Sequence, residues 1–290
     1  MDKKPTTLFR ELLAAPGIIA APGAYDCLTA AIIERAGFPA VYMTGAGTSI
    51  ARVGYPDLGL TTMSEMVANA ANLASTVGVP VIADADTGYG DVLQVRRTIR
   101  EFERAGVAAV HLEDQESPKR CGHLDDKRVV PIEEMTRKLR AATDARTDPD
   151  FTIIARTDAL AVTGWDDTLQ RAEAYVDAGA DVLFVEAIQT REQAASLTSR
   201  FDVPLLYNFV ETGKSPLLSS SELESLGFKM VIYPVSALLT VTKVVGDLMH
   251  GLNESGTTAN LVENEMVTLH ECFDTLGLTD MLALDAQYAR

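Results

Sequence analysis

The stretch SEMVANAANLASTVGVPVIADA, residues 64–85, contains in order the pieces from which the whole fold can be predicted. Apolar residues recur at helical spacing over Ser64–Val77, and Gly78 follows as a typical end signal of a helix. The next run, Pro80–Ala85, is almost continuously apolar, which is typical of a parallel strand that is buried on both faces. The stretch therefore predicts one α-helix followed directly by one parallel strand.

The same order recurs along the chain. Helical patterns over Ala24–Ala36, Val92–Ala105 and Asp166–Ala178 each stop at a glycine shortly before the next apolar run. Eight strands are predicted in all, at Gly17–Pro22, Ala40–Thr44, Pro80–Ala85, Ala108–Glu113, Phe151–Arg156, Asp181–Glu186, Pro204–Asn208 and Met230–Pro234. Eight β-α units favour an α/β fold of the (β/α)8 TIM-barrel type, with a doubly wound open sheet as the main alternative.

Two segments exceed what eight units need. Gln115–Pro131 is long, charged and contains two prolines, which predicts a mobile loop over the barrel top. After Gly251 a polar stretch leads to predicted helices at about Asn260–Phe273 and Met281–Tyr288. We therefore predict a single barrel domain over residues 1–290, with 251–290 as a helical appendage that packs on a neighbouring subunit.

The composition limits the kind of partner. Of the 290 residues 47% are hydrophobic, and 41 acidic against 25 basic residues give a formal net charge of -16. Such a chain repels phosphate backbones, so we predict no nucleic-acid partner. The sequence shows no secretion signal and no apolar stretch of membrane-spanning length. Three cysteines form no disulfide framework, so a cytoplasmic protein that does not bind membranes is expected.

Acidic side chains gather where the predicted strands end. Asp84 and Asp86 lie two residues apart and so point the same way, and Glu113 ends the next strand. A lone D-x-D is more often a solvated pair, but the apolar run before it and the other polar strand ends favour a functional site. Three carboxylates form a hard oxygen site, which suits Mg²⁺, or Mn²⁺ in its place, held partly through water.

Further strand ends and the loop supply other candidates. Arg156 could clamp a carboxylate or form a structural ion pair, and the turn Gly45-Ala46-Gly47 could bind an anion or simply be tight. Flanking cations and His123 predict a lowered pKa for the Cys121 thiol, with an ordinary surface cysteine as the alternative. His111, inside the fourth strand, is predicted to be structural.

Three long motifs in order, Asp84–Gly90, Glu113–His123 and Ile154–Ala159, resemble the isocitrate lyase / phosphoenolpyruvate mutase superfamily. Similar features extend over Gly23–Ser236. The resemblance implies a barrel whose last helix is exchanged between paired subunits, usually in a homotetramer built from two such dimers. It also implies Mg²⁺ near the three carboxylates. A pyruvyl or oxalate-like group would be held by the metal and by Thr44, Gly45, Ala46 and Arg156.

In the lyase branch of that superfamily, the loop cysteine protonates the departing enolate. The resemblance therefore implies that Cys121 is the acid, that His123 and Glu186 support it, and that Lys119 and Gly122 belong to the same gating loop. Tyr42, or Glu113 acting through a metal-bound hydroxide, would be the base, and both remain open. Asn208 and Lys214 are the candidates for holding the remote carboxylate.

The predicted activity is Mg²⁺-dependent carbon–carbon cleavage of a 2-hydroxy dicarboxylate to a 2-oxo acid such as pyruvate and a second carboxylate. The segment Asn208–Pro216 is similar to the dimethylmalate lyase, petal-death and oxaloacetate hydrolase group, since 2-methylisocitrate lyases carry threonine at the position of Val210. Those enzymes also carry an arginine where this chain has Leu239. The alternatives are a carboxyphosphonoenolpyruvate phosphonomutase, an oxaloacetate hydrolase or decarboxylase, and a silent ligand-binding barrel. The last is disfavoured by the full set of acid, amide and thiol groups.

Overall fold

The computed structural model describes residues 3–262 and 265–289 and contains a closed barrel of eight parallel strands. Each strand pairs with the next in sequence, and β8 closes the ring on β1. The strands are β1 Ile19–Ala24, β2 Val41–Met43, β3 Val81–Asp84, β4 Ala109–Glu113, β5 Thr152–Thr157, β6 Val182–Val185, β7 Leu205–Asn208 and β8 Met230–Tyr233. The predicted barrel and its eight strands are confirmed, with bounds shifted by one or two residues.

Helices follow each strand along the chain, one helix precedes β1, and two more come at the C-terminal end. They are α1 Pro5–Ala14, α2 Cys27–Arg35, α3 Gly45–Thr48, α4 Met63–Thr76, α5 Val92–Arg104, α6 Ile132–Ala145, α7 Trp165–Asp177, α8 Arg191–Arg200, α9 Ser220–Ser225, α10 Ser236–Ser255, α11 Leu269–Asp274 and α12 Leu278–Tyr288. Local capping sets several of these starts. Thr62 and Glu65 form a reciprocal capping box at α4, as Thr190 and Gln193 do at α8.

The C-terminal prediction is partly wrong. No single helix covers 260–273: a 3₁₀ turn at Ala259–Leu261 and α11 are separated by non-helical residues 265–268, and residues 263–264 lie outside the described part of the chain. The helix α11 starts anew because Thr268 and Glu271 form a capping box. The helix α10 also continues through Gly251 to Ser255, so the expected start of the appendage falls inside a helix.

The barrel interior changes from apolar to polar along each strand. Ile82, Ala109, Ile154, Val182 and Leu206 belong to one buried apolar cluster inside the lower barrel. Residues two positions further along a strand face the same way, so the next inward positions lie above this cluster. These next positions are Asp84, His111, Arg156, Phe184 and Asn208, and the ones beyond them include Asp86, Glu113, Asp158 and Glu186. The sequence of each strand therefore places its polar residues at the top of a closed apolar interior.

A helix that the sequence analysis did not predict fills the bottom of the barrel. The α1 side chain Phe9 is fully buried in the interior cluster, against residues such as Ile19 and Met230. Arg10 fixes this helix through an ion pair to Asp181, with 2.8 Å between Nη2 and Oδ1. Among residues 3–262 and 265–289, no helix combines the length and the apolar character needed to cross a bilayer.

Candidate active site

The carboxylates of Asp84 and Asp86 are almost completely buried at the end of β3. Asp84 Oδ1 accepts from the Asp86 backbone N–H at 2.9 Å and lies 3.4 Å from His111 Nε2. The backbone of Asp86 is left-handed, with φ of 47°, an arrangement that costs energy in a non-glycine residue. Burial raises the pKa of Asp86 to about 6. The two carboxylates are thus held close together by a backbone conformation that is itself unfavourable.

Arg156 lies at the centre of a second set of carboxylates. Its Nε contacts Glu113 Oε2 at 3.3 Å and Asp158 Oδ2 at 2.8 Å, and its Nη2 contacts Glu186 Oε2 at 3.3 Å. The guanidinium also lies over the Phe184 ring, 5.0 Å from the centroid. Arg156 forms ion pairs and also faces the barrel top. The two predicted roles, a clamp for a substrate carboxylate and a structural ion pair, therefore both stay open. Burial raises the pKa of Glu113 well above its usual range, and its Oε1 is buried without a hydrogen-bond partner.

The segment Gln115–Pro131, here called the lid segment, is folded down on the barrel top. Lys119 is buried and contacts Asp57 Oδ1 at 2.5 Å and Asp86 Oδ1 at 2.7 Å. The Cys121 backbone N–H donates to the Asp57 carbonyl at 3.2 Å. An added Cβ on Gly122 would lie 2.4 Å from Arg156 Nη2, so a side chain there cannot fit in this closed arrangement. The lid segment therefore touches both sets of carboxylates.

The sequence predicted a lowered pKa for the Cys121 thiol, and this prediction is wrong. Burial raises its pKa, and the negative charges of Asp57 and Glu186 add to the effect. The neighbouring cations do not compensate, because Lys119 is engaged by two aspartates and Arg120 pairs with Asp126 on the exposed side. A thiol in this place keeps its proton, which suits a proton donor better than a nucleophile.

His123 connects the lid segment to β6. Its Nδ1 accepts from the Lys214 backbone N–H at 3.1 Å, so in the neutral ring the proton is assigned to Nε2, which lies 2.9 Å from Glu186 Oε1. Asn208 Nδ2 donates to both oxygens of Glu186, at 3.2 and 3.1 Å. Despite the burial of Glu186, its pKa is held low by the charge of Arg156, by the contact with His123 and by the charge of Lys127. Lys214 itself points outward to Asp125, 2.7 Å away, so its ammonium does not reach this cluster.

The turn after β2 lies beside Asp84. Thr44 caps the short helix α3 by accepting from the Gly47 backbone N–H at 3.2 Å. Gly45 is packed so closely that an added Cβ would lie 2.2 Å from Asp84 Oδ2. The glycine at this position is therefore required by the approach of the turn to a carboxylate, and Ala46 follows it in the same turn.

Tyr42 and His111 form a buried pair below the carboxylates. The Tyr42 hydroxyl lies 2.7 Å from His111 Nε2 and the rings are stacked. Burial raises the pKa of Tyr42 well above 10 and lowers that of His111 to about 4, so both are neutral. His111 is thus more than a packing residue, because it contacts Asp84 and Tyr42 together.

Sequence reasoning missed Asp57 and Lys127. Asp57 lies in an unremarkable turn and becomes recognisable only through Lys119, 62 residues later. Lys127 looks like a solvated loop charge but is buried beside Asp158, with 2.8 Å between Nζ and Oδ1. Among the described residues, no three His, Cys, Asp or Glu side chains converge closely enough to bind one metal ion directly.

Comparison with known proteins gives relatives that match almost the whole chain. The chain is 46% identical over 280 residues to 2,3-dimethylmalate lyase of Eubacterium barkeri, covering 97% of this chain and 96% of that protein. It is 42% identical to 2-methylisocitrate lyase of Bacillus subtilis, covering 97% and 92%. Solved structures of oxaloacetate acetylhydrolase with 3,3-difluorooxalacetate (37% identity, TM-score 0.95, 99% and 97% covered) and of 2,3-dimethylmalate lyase (40%, 0.93, 99% and 96%) share the fold.

A more distant structure carries a metal. Phosphonopyruvate hydrolase in complex with oxalate and Mg²⁺ is 29% identical, with a TM-score of 0.89 and 99% and 100% of the two chains covered. The model of the phosphoenolpyruvate phosphomutase family matches residues 9–252. This match and the near-complete relatives confirm the resemblance seen in the motifs, and the chain belongs to the phosphoenolpyruvate phosphomutase family of the PEP mutase/isocitrate lyase superfamily.

Proposed function

We propose that this chain is a Mg²⁺-dependent lyase that cleaves the C2–C3 bond of a 2-hydroxy dicarboxylate of the alkylmalate type. The observation that carries the proposal is the position of the partly buried Cys121, which the lid segment holds next to Gly122, where Gly122 packs against Arg156 and Glu186; the raised pKa of the thiol keeps its proton on sulfur. A positioned acid at this place is what the departing carbanion of a retro-aldol cleavage requires. The similarity to 2,3-dimethylmalate lyase supports this substrate class.

The charges of the site fit a divalent cation. Six buried or nearly buried carboxylates face three cations in one connected cluster, an excess of three negative charges if all are ionised. The carboxylates are Asp57, Asp84, Asp86, Glu113, Asp158 and Glu186, and the cations are Lys119, Lys127 and Arg156. Such an excess is unfavourable in a buried site without a counterion. The unpartnered oxygen of Glu113 is a further sign of a missing electropositive partner.

Mg²⁺ in this site would be held by Asp84, Asp86 and Glu113, some of them through water, because these side chains do not converge as direct ligands. When bound, the ion polarises the 2-oxygen and the carboxylate of the substrate. The complex of phosphonopyruvate hydrolase with oxalate and Mg²⁺ supports a metal beside a dicarboxylate in this fold. Mn²⁺ has the same preference for oxygen ligands and is expected to substitute.

The remaining steps follow from the protein's own side chains. Arg156 binds the C1 carboxylate, and the backbone of Thr44, Gly45 and Ala46 surrounds the same end. A base takes the hydroxyl proton, the C2–C3 electron pair moves into the departing fragment, and Cys121 Sγ–H protonates C3. His123 and Glu186 keep the thiol in place, and Asn208 orients Glu186.

Of the two candidate bases, we propose Glu113 rather than Tyr42. Burial and the nearby Asp84 raise the pKa of the Tyr42 phenol, and it is engaged with His111, so the phenolate is disfavoured. Glu113 Oε1 accepts no hydrogen bond, so this oxygen is free to take a proton when the carboxylate is ionised. Lys214, paired with Asp125, is not part of this proposal.

The test is a substrate screen on the purified protein with Mg²⁺. We expect 2-oxo acid release from 2,3-dimethylmalate or a related alkylmalate, and none from carboxyphosphonoenolpyruvate. Turnover of the phosphonate alone would replace the lyase by a phosphonomutase. Release without added metal and in the presence of EDTA would remove Mg²⁺ from the proposal.

A second candidate activity is hydrolysis of oxaloacetate. It is supported by the TM-score of 0.95 to oxaloacetate acetylhydrolase. Hydrolysis yields oxalate and acetate, whereas decarboxylation yields pyruvate, so product analysis by NMR separates the two reactions. Oxaloacetate consumption that exceeds alkylmalate cleavage would make this the principal activity.

The C-terminal helices support a homotetramer in which they are exchanged between paired subunits. Large apolar side chains of α10, α11 and α12 are about half exposed in the isolated chain, among them Val244, Met249, Phe273 and Met281. An apolar surface of this extent is typical of a subunit interface. Light scattering that gives about 31 kDa, the mass of one chain, would refute the assembly. The cytoplasmic location predicted from the three cysteines stays a prediction.

A further inference from the structure

One lysine of the lid segment is buried in the site rather than exposed on the loop. The side chain of Lys127 is only 2% exposed. Its ammonium bonds Asp158 Oδ1 at 2.8 Å and also the carbonyl oxygen of Gly122 in the same lid segment. Burying an ammonium costs free energy because its hydration is lost, so its contacts in the protein must compensate for that loss. Lys127 therefore joins the part of the lid beside Cys121 to the end of β5.

Asp158, the partner of Lys127, also holds the arginine at the centre of the site. Arg156 donates from Nε to Asp158 Oδ2 at 2.8 Å and from Nη2 to Asp158 Oδ1 at 3.2 Å. One carboxylate thus carries a fixed cation from the barrel and a second cation that arrives with the lid segment. Lid closure changes the charge around the proposed substrate clamp.

The position of Asp158 is also fixed by contacts with residues of the barrel. Its backbone N–H donates to Asp114 Oδ1 at 2.9 Å. Asp114 is fully buried and its Oδ2 accepts from Thr157, Tyr175 and Arg171 at 2.7, 2.8 and 3.2 Å. Because this support belongs to the barrel, Asp158 stays in place when the lid moves, and the lid must come to it.

We propose that Lys127 is a positioning residue that latches the lid segment closed through Asp158, and that it holds Cys121 and His123 over the site through the Gly122 carbonyl. The catalytic consequence rests on the proposed lyase function, whereas the latch itself does not. Without the ammonium, the closed lid leaves the Asp158 and Gly122 oxygens without this donor. The lid then spends more time open, and Cys121 becomes accessible.

The test compares Lys127→Met with Arg128→Met. Met removes the charge of Lys127 but keeps a chain of similar length. Arg128, the next residue, has a side chain that is 74% exposed and pairs with Glu116. The measurement is the rate of Cys121 alkylation by iodoacetamide, read by peptide mass spectrometry with Cys27 as the internal reference.

We expect Cys121 in Lys127→Met to react at least ~10-fold faster than in the unmodified protein, a shift of about 1.4 kcal/mol in lid closure. Arg128→Met should react at the unmodified rate. With an alkylmalate substrate, kcat of Lys127→Met should fall ~10-fold or more while KM changes little, since Arg156 remains paired with Asp158. A fall in stability alone would not expose one cysteine selectively.

Gly122→Ala calibrates the assay, because its Cβ would collide with Arg156 and Glu186 and force the lid open. If Gly122→Ala reacts fast and Lys127→Met reacts like the unmodified protein, the latch is overturned. Lys127→Gln, which keeps an N–H donor, is the second variant if the methionine variant does not fold, and faster labelling is again expected. If no 2-hydroxy dicarboxylate is cleaved, the proposed function fails, but the labelling rates still decide the latch.

Discussion

Replacing Gly45 by alanine tests whether Asp84 binds the metal. The added Cβ would lie 2.2 Å from Asp84 Oδ2 and 2.8 Å from its Cγ, whereas ordinary contact begins at 3.4 Å. The carboxylate must therefore retreat by roughly 1 Å, although its Oδ1 is held by the Asp86 backbone N–H. A misplacement of about 1 Å in a reacting constellation typically costs ~10²-fold. We expect the affinity for the divalent cation to fall by a similar factor, about 2.7 kcal/mol.

The assay is Mn²⁺ binding to the substrate-free protein, followed by electron paramagnetic resonance, and then kcat/KM as a function of Mg²⁺ concentration. Gly78→Ala is the matched control, since its added Cβ meets nothing closer than Glu34 Oε1 at 3.4 Å. Thermal unfolding of both variants checks that the barrel is intact. If Gly45→Ala is folded and binds Mn²⁺ as tightly as the unmodified protein, Asp84 is not a ligand and the metal binds elsewhere.

Three further results are expected. EDTA should abolish activity, Mg²⁺ or Mn²⁺ should restore it, and Asp86→Ala should lose metal affinity without unfolding; a fully active metal-free preparation would contradict this. Cys121→Ser should lower kcat by ~10² or more with little effect on substrate binding, because a positioned acid is lost; an almost unchanged kcat would favour the hydrolase or mutase activity. Leu239, 44% exposed in the first turn of α10, offers no cation to a third carboxylate, so an alkylmalate should be cleaved at least ~10-fold more efficiently than 2-methylisocitrate, about 1.4 kcal/mol. Leu239→Arg should narrow this gap in a kcat/KM comparison, and a preference of the unmodified protein for 2-methylisocitrate would refute the assignment.

The barrel was predictable because its signals are local. Each buried strand is an apolar run of a few residues, and helix ends at Gly37, Gly78, Gly106 and Gly179 mark the return to the next strand. The N-terminal helix was missed because Phe9 and its neighbours resemble any short amphipathic segment. The helix predicted over 260–273 was wrong, although Thr268 and Glu271 already show the capping signal at which α11 begins.

The site was predictable only as far as strand ends reveal it. The acids of β3 and β4 follow apolar runs, so their convergence can be read from the sequence. The partners of the lid segment cannot be read from the sequence, because the pairs Lys119–Asp57 and Lys127–Asp158 join residues that are 62 and 31 positions apart. The predicted direction of the Cys121 pKa shift was wrong for the same reason. Adjacent charges in the sequence were visible, whereas burial of the thiol and the outward direction of Arg120 were not.

The filled floor of the barrel has a consequence for the order of events in turnover. Because Phe9 and the interior cluster fill the lower end of the barrel, we expect substrate and products to pass through the upper end, beneath the lid segment. The fragment released by bond cleavage can leave only after the lid segment opens, so lid opening is expected to be a separate step that follows cleavage. Glycerol or sucrose, which make the solvent more viscous, should therefore slow product release, whereas bond cleavage within the closed site should be insensitive to viscosity.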